Sequence, residues 1–314
     1  MENKPVSIGI DIGGTKICAA AIKDGAILDK SHCYKTPDTA EGILDTILKI
    51  VEDLKQKYNA EFVGIATAGA VDINNSRVVG STGNLPKGYS SIEFKKIIEE
   101  KYGLKTFIEN DANAAAYAEY SIGASKEHKN TIIITLGTGI GGGIIVEGNL
   151  LRGKSGAGAE VGHIQISWEG KRKCTCGAIN CWEAYASGTG YAINAREMAK
   201  ELPEFKTSCL KDKNPDELTT YDIIVGLKKN DEFSKKVHER WEQLVSVGLV
   251  SLANVFDPES IVLSGGMAKF VDFEKMEKTV NSQLVVSDIK LLHARTDNEA
   301  GMIGAAILAQ EKLG

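Results

Sequence analysis

One histidine and three cysteines fall within nineteen residues of this chain: His163, then Cys174, Cys176 and Cys181. Their types, number and closeness are those of a four-coordinate zinc site. Glu160 stands three residues before His163 and Glu183 two residues after Cys181, so a metal that fixes this loop also fixes two carboxylates. The competing readings are weaker. A disulfide between Cys174 and Cys176 would be strained across one intervening residue, and Lys171, Arg172 and Lys173 just upstream put the loop near water. Gly177 allows a tight turn among the ligands. The pattern reads as a metal that holds a substrate pocket in shape. Cys18, Cys33 and Cys209 are scattered and read as structural or free.

Two glycine-rich turns carry the second chemistry. Asp11-Ile12-Gly13-Gly14-Thr15-Lys16 joins the β-prone runs 6–10 and 17–22, and about 125 residues later Gly137-Thr138-Gly139-Ile140-Gly141-Gly142 joins 131–136 to 143–146. Both imitate known nucleotide motifs. Gly9 to Lys16 resembles a P-loop, but its order is Thr-Lys and a strand follows where a helix is required. Gly137-x-Gly139-x-x-Gly142 has the dinucleotide spacing, again with a strand behind it, so hydride chemistry loses its support. A glycine hairpin turn binds anions differently: missing side chains let phosphate oxygens reach a concave set of backbone N–H groups. Thr15 and Thr138 can add hydroxyl donors, Lys16 a cation, and Asp11 a carboxylate for magnesium. One such turn is most often a plain hairpin. Two of them, with Ser264-Gly265-Gly266 after a further strand, point to a nucleotide.

Elements that position these residues follow from periodicity. Residues 41–58 are helical, with Ile43, Ile47, Ile50 and Leu54 on one face. Strands are expected at 62–66, 106–109 and 260–263, and helices at 92–102, 112–120, 190–201, 220–229, 231–255 and 300–312. This alternation indicates an α/β protein, and 314 residues suit two domains. The polar stretch 203–217 reads as a mobile surface insertion. A net charge of −5 gives no support for binding nucleic acid or an anionic membrane. With no apolar signal segment or membrane-spanning run, the expected compartment is the cytoplasm.

With these motifs in order, the chain resembles the ROK family of sugar kinases and repressors, within the actin-like ATPase and hexokinase fold. The resemblance runs nearly end to end and is most specific over 160–188. It implies a two-lobed, ribonuclease H-like α/β architecture, with residues 1–118 plus 300–314 in a small lobe and 119–299 in a large lobe that holds the zinc loop. It implies that His163, Cys174, Cys176 and Cys181 bind Zn2+. It also implies that Asp11, Gly13, Gly14, Thr15, Lys16, Gly137, Thr138, Gly139, Gly265 and Gly266 contact ATP and Mg2+. Asn84, Asn110, Glu160, His163 and Glu183 fall where the family holds sugar hydroxyls, with Asp111 as the catalytic base.

The expected activity is ATP-dependent phosphorylation of a hexose at C6, with glucose first. Kinases for N-acetylmannosamine, N-acetylglucosamine, fructose or a β-glucoside are the alternatives, and a non-catalytic sugar sensor is a remoter one. The first phosphate loop begins ten residues from Met1, so a repressor's N-terminal DNA-binding domain is not expected. Asn180 replaces the usual glycine before the third cysteine and can adopt a left-handed backbone. Ala68 stands where a proline is common in a loop near the sugar. Trp168 and Trp182 read as packing residues. A homodimer or homotetramer is the family's usual form, with the helices of 220–255 as a source of interface.

Overall fold

The computed structural model describes residues 5–29, 32–80, 85–170, 172–285 and 287–314. The chain opens with β1 (Ser7–Ile12), β2 (Lys16–Lys23), β3 (Ala26–Ile27), β4 (His32–Lys35) and helix α1 (Ala40–Tyr58). There follow β5 (Phe62–Thr67), the small pair β6 (Ala70–Val71) and β7 (Val78–Gly80), α2 (Phe94–Tyr102), β8 (Lys105–Asn110) and α3 (Asp111–Ser121). The second half holds β9 (Thr131–Leu136), β10 (Ile140–Val146), β11 (Asn149–Leu150), α4 (Trp182–Ala186), α5 (Gly188–Glu201), α6 (Thr220–Lys228) and α7 (Glu232–Phe256). It ends with β12 (Ser260–Ser264), α8 (Phe273–Asn281), β13 (Lys290–His293) and α9 (Ala300–Leu313).

The first sheet runs β3-β2-β1-β5-β8 with β4 also on β2, and the second runs β11-β10-β9-β12-β13. Each half therefore repeats one strand order, the topological form of the repeated glycine turn. β1 pairs antiparallel with β2 and parallel with β5, and β5 pairs parallel with β8. The parallel strands end together, so Asp11, Thr67 and Asn110 fall at the same C-terminal rim of the sheet, where α/β proteins place their ligands.

The chain divides into two compact units, Met1–Ile133 with Gly142–Ala159 and Ala294–Gly314, and Ile134–Gly141 with Glu160–His293. The division read from the sequence, at 118/119 and 299/300, is placed differently. Residue 118 lies inside α3, which continues to Ser121, and 142–159 belongs with the first unit. β9 and β10 each contribute residues to both units.

In the first unit the central strands carry Ile8, Ile10, Ile12, Val63, Ile65 and Ile108 into a core completed by Ile43, Ile47 and Leu54 of α1. Thr39 caps α1 by accepting the Gly42 N–H, and Asn59 ends it in a left-handed conformation. Helix α9 is buried continuously from Ala300 to Ala309, as befits a helix that is apolar on every face. It can lie against the sheet because Gly9 and Gly64 carry no Cβ: one on Gly9 would overlap the Met302 carbonyl, and one on Gly64 that of Ala305.

Cys18 and Cys33, expected to be structural or free, face each other across β2 and β4 and form a disulfide. The stretch 203–217, expected to be mobile, is tied down. Phe205 and Leu210 are buried, Ser208 Oγ donates to Asp231 at 2.9 Å, and Lys236 pairs with Glu204 at 2.7 Å. Among the described residues no helix is long and apolar enough to cross a membrane.

Candidate functional site

The first unit carries the expected base. Asn110, not Asp111, caps α3: its Oδ1 accepts the N–H groups of Ala112 at 3.0 Å and Asn113 at 3.1 Å. Asp111 occupies the first helical turn, where its Oδ1 accepts the Ala112 N–H at 2.8 Å. The capping at this helix start is therefore the work of Asn110 and not of Asp111. Asn110 also donates through Nδ2 to the Gly69 carbonyl at 3.0 Å, which leaves its second amide hydrogen for a hydroxyl.

Beneath them lies a buried network that sequence reasoning missed. The Glu109 carboxylate, fully buried on β8, accepts from Asn110 N at 2.9 Å and from Asn113 Nδ2 at 3.2 Å. Its other oxygen faces Asn75 Nδ2 at 3.3 Å and Arg152 Nε at 3.0 Å. Burial pushes Glu109 up, against the pull of Arg152 and these hydrogen bonds. Arg152 in turn donates to the carbonyls of Asp72 and Ile73 and to Asn75 Oδ1. One ion pair thus fixes the Asn110–Asp111 corner and the 72–75 turn together. An acid in the apolar run Thr106–Glu109 was the available signal; Arg152 gave none.

Asp11, next to last in β1, lies close to Gly301 of α9, where an added Cβ would sit 2.9 Å from Asp11 Oδ2. Burial and the charge of Asp111 push Asp11 up to about 6, with Lys16 pulling it down. Two carboxylates repelling each other in a low-dielectric setting suit a divalent cation, whose charge would relieve both. The turn after Asp11 is held by Gly13 N donating to Lys16 O at 3.0 Å and Thr36 Oγ1 donating to Gly13 O at 2.6 Å. Gly14, Thr15 and Lys16 are exposed at its tip. Thr67 and the buried Tyr89 share a 2.7 Å hydroxyl contact. Asn84 lies outside the described residues.

The second unit carries the metal-type cluster. One ligand atom each from His163, Cys174, Cys176 and Cys181 lie within 4.8 Å of one another. Cys176 Sγ is 3.7 Å from Cys181 Sγ, and His163 Nδ1 is 3.6 Å from Cys174 Sγ. A tetrahedron with zinc–sulfur arms of about 2.3 Å has edges of about 3.8 Å, so the donors fit that ion. Burial and the neighbouring thiols push Cys181 up to about 12, so a cation is what would draw these sulfurs into the thiolate form. Asn180 has φ of 63°, the left-handed conformation its position required. His163 turns Nε2 toward Glu160, 3.9 Å from Oε2, and Glu160 is exposed.

Glu183 is more constrained. Its Oε2 accepts the Ile140 N–H at 2.9 Å and its Oε1 the Thr175 hydroxyl at 3.2 Å. In the glycine turn, Gly137 N donates to Gly139 O at 3.0 Å, while Gly188 N donates to Gly137 O at 2.8 Å. Thr138 is exposed at the tip. Gly265, with φ of 87°, packs against Leu136, and Gly266 has open space around it. Trp182 is buried, its Nε1 donating to Leu244 O at 2.8 Å. Trp168 is 89 % exposed, contrary to the packing role expected of it, because it sits on a bend rather than in an element.

These features meet a family model whose description is the ROK family, matched over residues 7–312. The chain belongs to the ROK family. It is 36% identical to a glucokinase of Streptomyces coelicolor, with 98% of each chain covered. Its fold is similar to a ROK family glucokinase from Streptomyces griseus in complex with glucose and AMPPNP, at a TM-score of 0.77, 35% identity, and 98% and 99% coverage. It is also similar to a ROK hexokinase from Thermus thermophilus, at a TM-score of 0.82, 29% identity and the same coverage. The two-unit α/β fold with a Cys3His loop is therefore the ROK sugar-kinase fold.

Proposed function

We propose that the protein is an ATP-dependent hexose kinase that phosphorylates the C6 hydroxyl of glucose. The observation that carries this reading is the Asn110–Asp111 corner, where Asn110 caps the helix and sets the Asp111 carboxylate in its first turn, at the sheet rim that also holds Asp11. Phosphoryl transfer asks little covalent work of a protein: it needs an aligned nucleophile, dispersed γ-phosphate charge and a proton acceptor. Asp111 takes the C6 hydroxyl proton as the oxygen bonds to the γ-phosphorus and the bond to ADP breaks.

Asn84, Asn110, Glu160, His163 and Glu183 orient the sugar through its hydroxyls. The turns at Gly13–Lys16 and Gly137–Gly139 receive the phosphates on backbone N–H groups, with Gly265 and Gly266 toward the adenosine. Asp11 would hold Mg2+, which when bound neutralises phosphate charge. His163, Cys174, Cys176 and Cys181 would hold Zn2+ in a structural role. ATP and hexose are cytoplasmic metabolites, so the enzyme works in the cytoplasm. It works as a homodimer or homotetramer, a reading supported by the exposed Val247 and Val255 on α7.

Steady-state kinetics with ATP, Mg2+ and glucose, mannose, fructose, N-acetylglucosamine, N-acetylmannosamine or a β-glucoside tests the substrate. Glucose is expected to give the highest kcat/KM. A higher value for another sugar would reassign the substrate within the family.

A further inference from the structure

Glu183 was assigned above to sugar hydroxyls, yet the structure gives its carboxylate a second occupation. One oxygen accepts the N–H of Ile140, the residue that closes the second glycine turn; the other accepts from Thr175, which stands between two zinc-type ligands. The turn is shaped around this carboxylate: a Cβ on Gly139 would overlap Glu183 Oε2. The carbonyl of Ile140, in the next peptide unit, is closely packed as well, since a Cβ on Gly162 would overlap it. Gly162 belongs to the Glu160–His163 turn, so residues of the sugar and metal segment grip Ile140 from both sides.

The far end of the turn is held from the same stretch of chain. Gly188 N donates to Gly137 O at 2.8 Å and Thr189 Oγ1 to Thr138 O at 2.9 Å. Cys181, Glu183, Gly188 and Thr189 lie within nine residues, so α4, which follows a metal-type ligand, and the start of α5 brace the turn at both ends. A charge-assisted bond to a single backbone N–H can set a turn whose glycines impose no conformation of their own.

We infer that Glu183 is a positioning residue for nucleotide: through Ile140 it holds the second phosphate-binding turn in its receiving shape, so nucleotide affinity depends on it even without sugar. This rests on the proposal that the turn binds phosphate. Calorimetric titration of sugar-free protein with Mg2+ and AMPPNP tests it, on zinc-loaded variants whose metal content and melting temperature match the parent. Glu183→Ala should weaken AMPPNP binding about tenfold, the loss expected for one hydrogen bond to a charged acceptor. Glu183→Gln should restore most of it, because an amide oxygen can still accept the Ile140 N–H. Gly139→Ala should weaken it likewise by displacing the carboxylate, and serves if Glu183→Ala fails to fold.

Parental AMPPNP affinity in Glu183→Ala and Gly139→Ala, with sugar affinity lost in Glu183→Ala, would make Glu183 a sugar ligand only and overturn the inference. A parent protein that binds no AMPPNP would remove the kinase reading itself and this inference with it.

Discussion

The turn between β1 and β2 is held by its own surroundings, through Gly13 N to Lys16 O and Thr36, the residue after β4. The turn between β9 and β10 is closed more tightly, by Gly137 N to Gly139 O, and its further supports are Glu183, Gly188 and Thr189, forty and more residues away. Equivalent topology has been stabilised in two ways: locally beside Asp11, and remotely where the turn adjoins the Cys3His loop. The first turn should therefore tolerate distant damage, whereas the second should report it.

The largest effect should come from the first unit's chemistry. Asp111→Asn should lower kcat by about 10²–10⁴-fold, the usual worth of a positioned base, with glucose affinity measured by calorimetry little changed. Retained turnover would take Asp111 out of its role. Metal loss should next separate the two turns. Removing zinc from the Cys3His loop, or making Cys181→Ser, should raise KM for both ATP and glucose by on the order of tenfold. Cys209→Ser, at an exposed free thiol, should do neither. If zinc loss changed KM for glucose alone, the bracing of the second turn would not depend on the metal.

A smaller effect is expected from pH. Asp11 titrates at about 6 in the fold against 3.8 unperturbed, so the folded chain binds this proton more tightly than the unfolded one. That contribution to stability is complete below pH 3.8 and is lost as pH rises through about 6. On the role proposed for Asp11, magnesium would compete with the same proton. Apparent Mg2+ affinity should fall as pH drops below about 6, and saturating Mg2+ should move the acid limb of activity lower. Asp11→Asn should abolish that shift. The smallest effect concerns the edge of the first sheet. Thiol titration in denaturant without reductant should count four thiols of the six cysteines. Cys33→Ser should leave kcat unchanged, since β4 is exposed along its length.

The same contrast explains what the sequence could reveal. The hairpins, α1 and α9 were legible because apolar periodicity and glycine turns are local properties, and the metal cluster because its ligands are close in the chain. The edges of elements drifted where glycines continue a strand, as at β10, which begins at Ile140 rather than at Gly143. The pairing of Cys18 with Cys33 depends on the register of β2 against β4, which spacing does not encode. Arg152 meets Glu109 only through a crossing of distant segments, and Glu183 reaches Ile140 the same way. The helix α4, of five residues, and the strand β13, of four, are too short for a period to emerge.

The central claim is that this chain moves the γ-phosphate of ATP to the C6 oxygen of glucose. Incubating zinc-loaded protein with ATP, Mg2+ and glucose and identifying the product by phosphorus NMR tests it most directly. Glucose 6-phosphate and ADP should appear in equal amounts, and Asp111→Asn should form them about 10²–10⁴-fold more slowly. Folded, zinc-loaded protein that forms no sugar phosphate would contradict it.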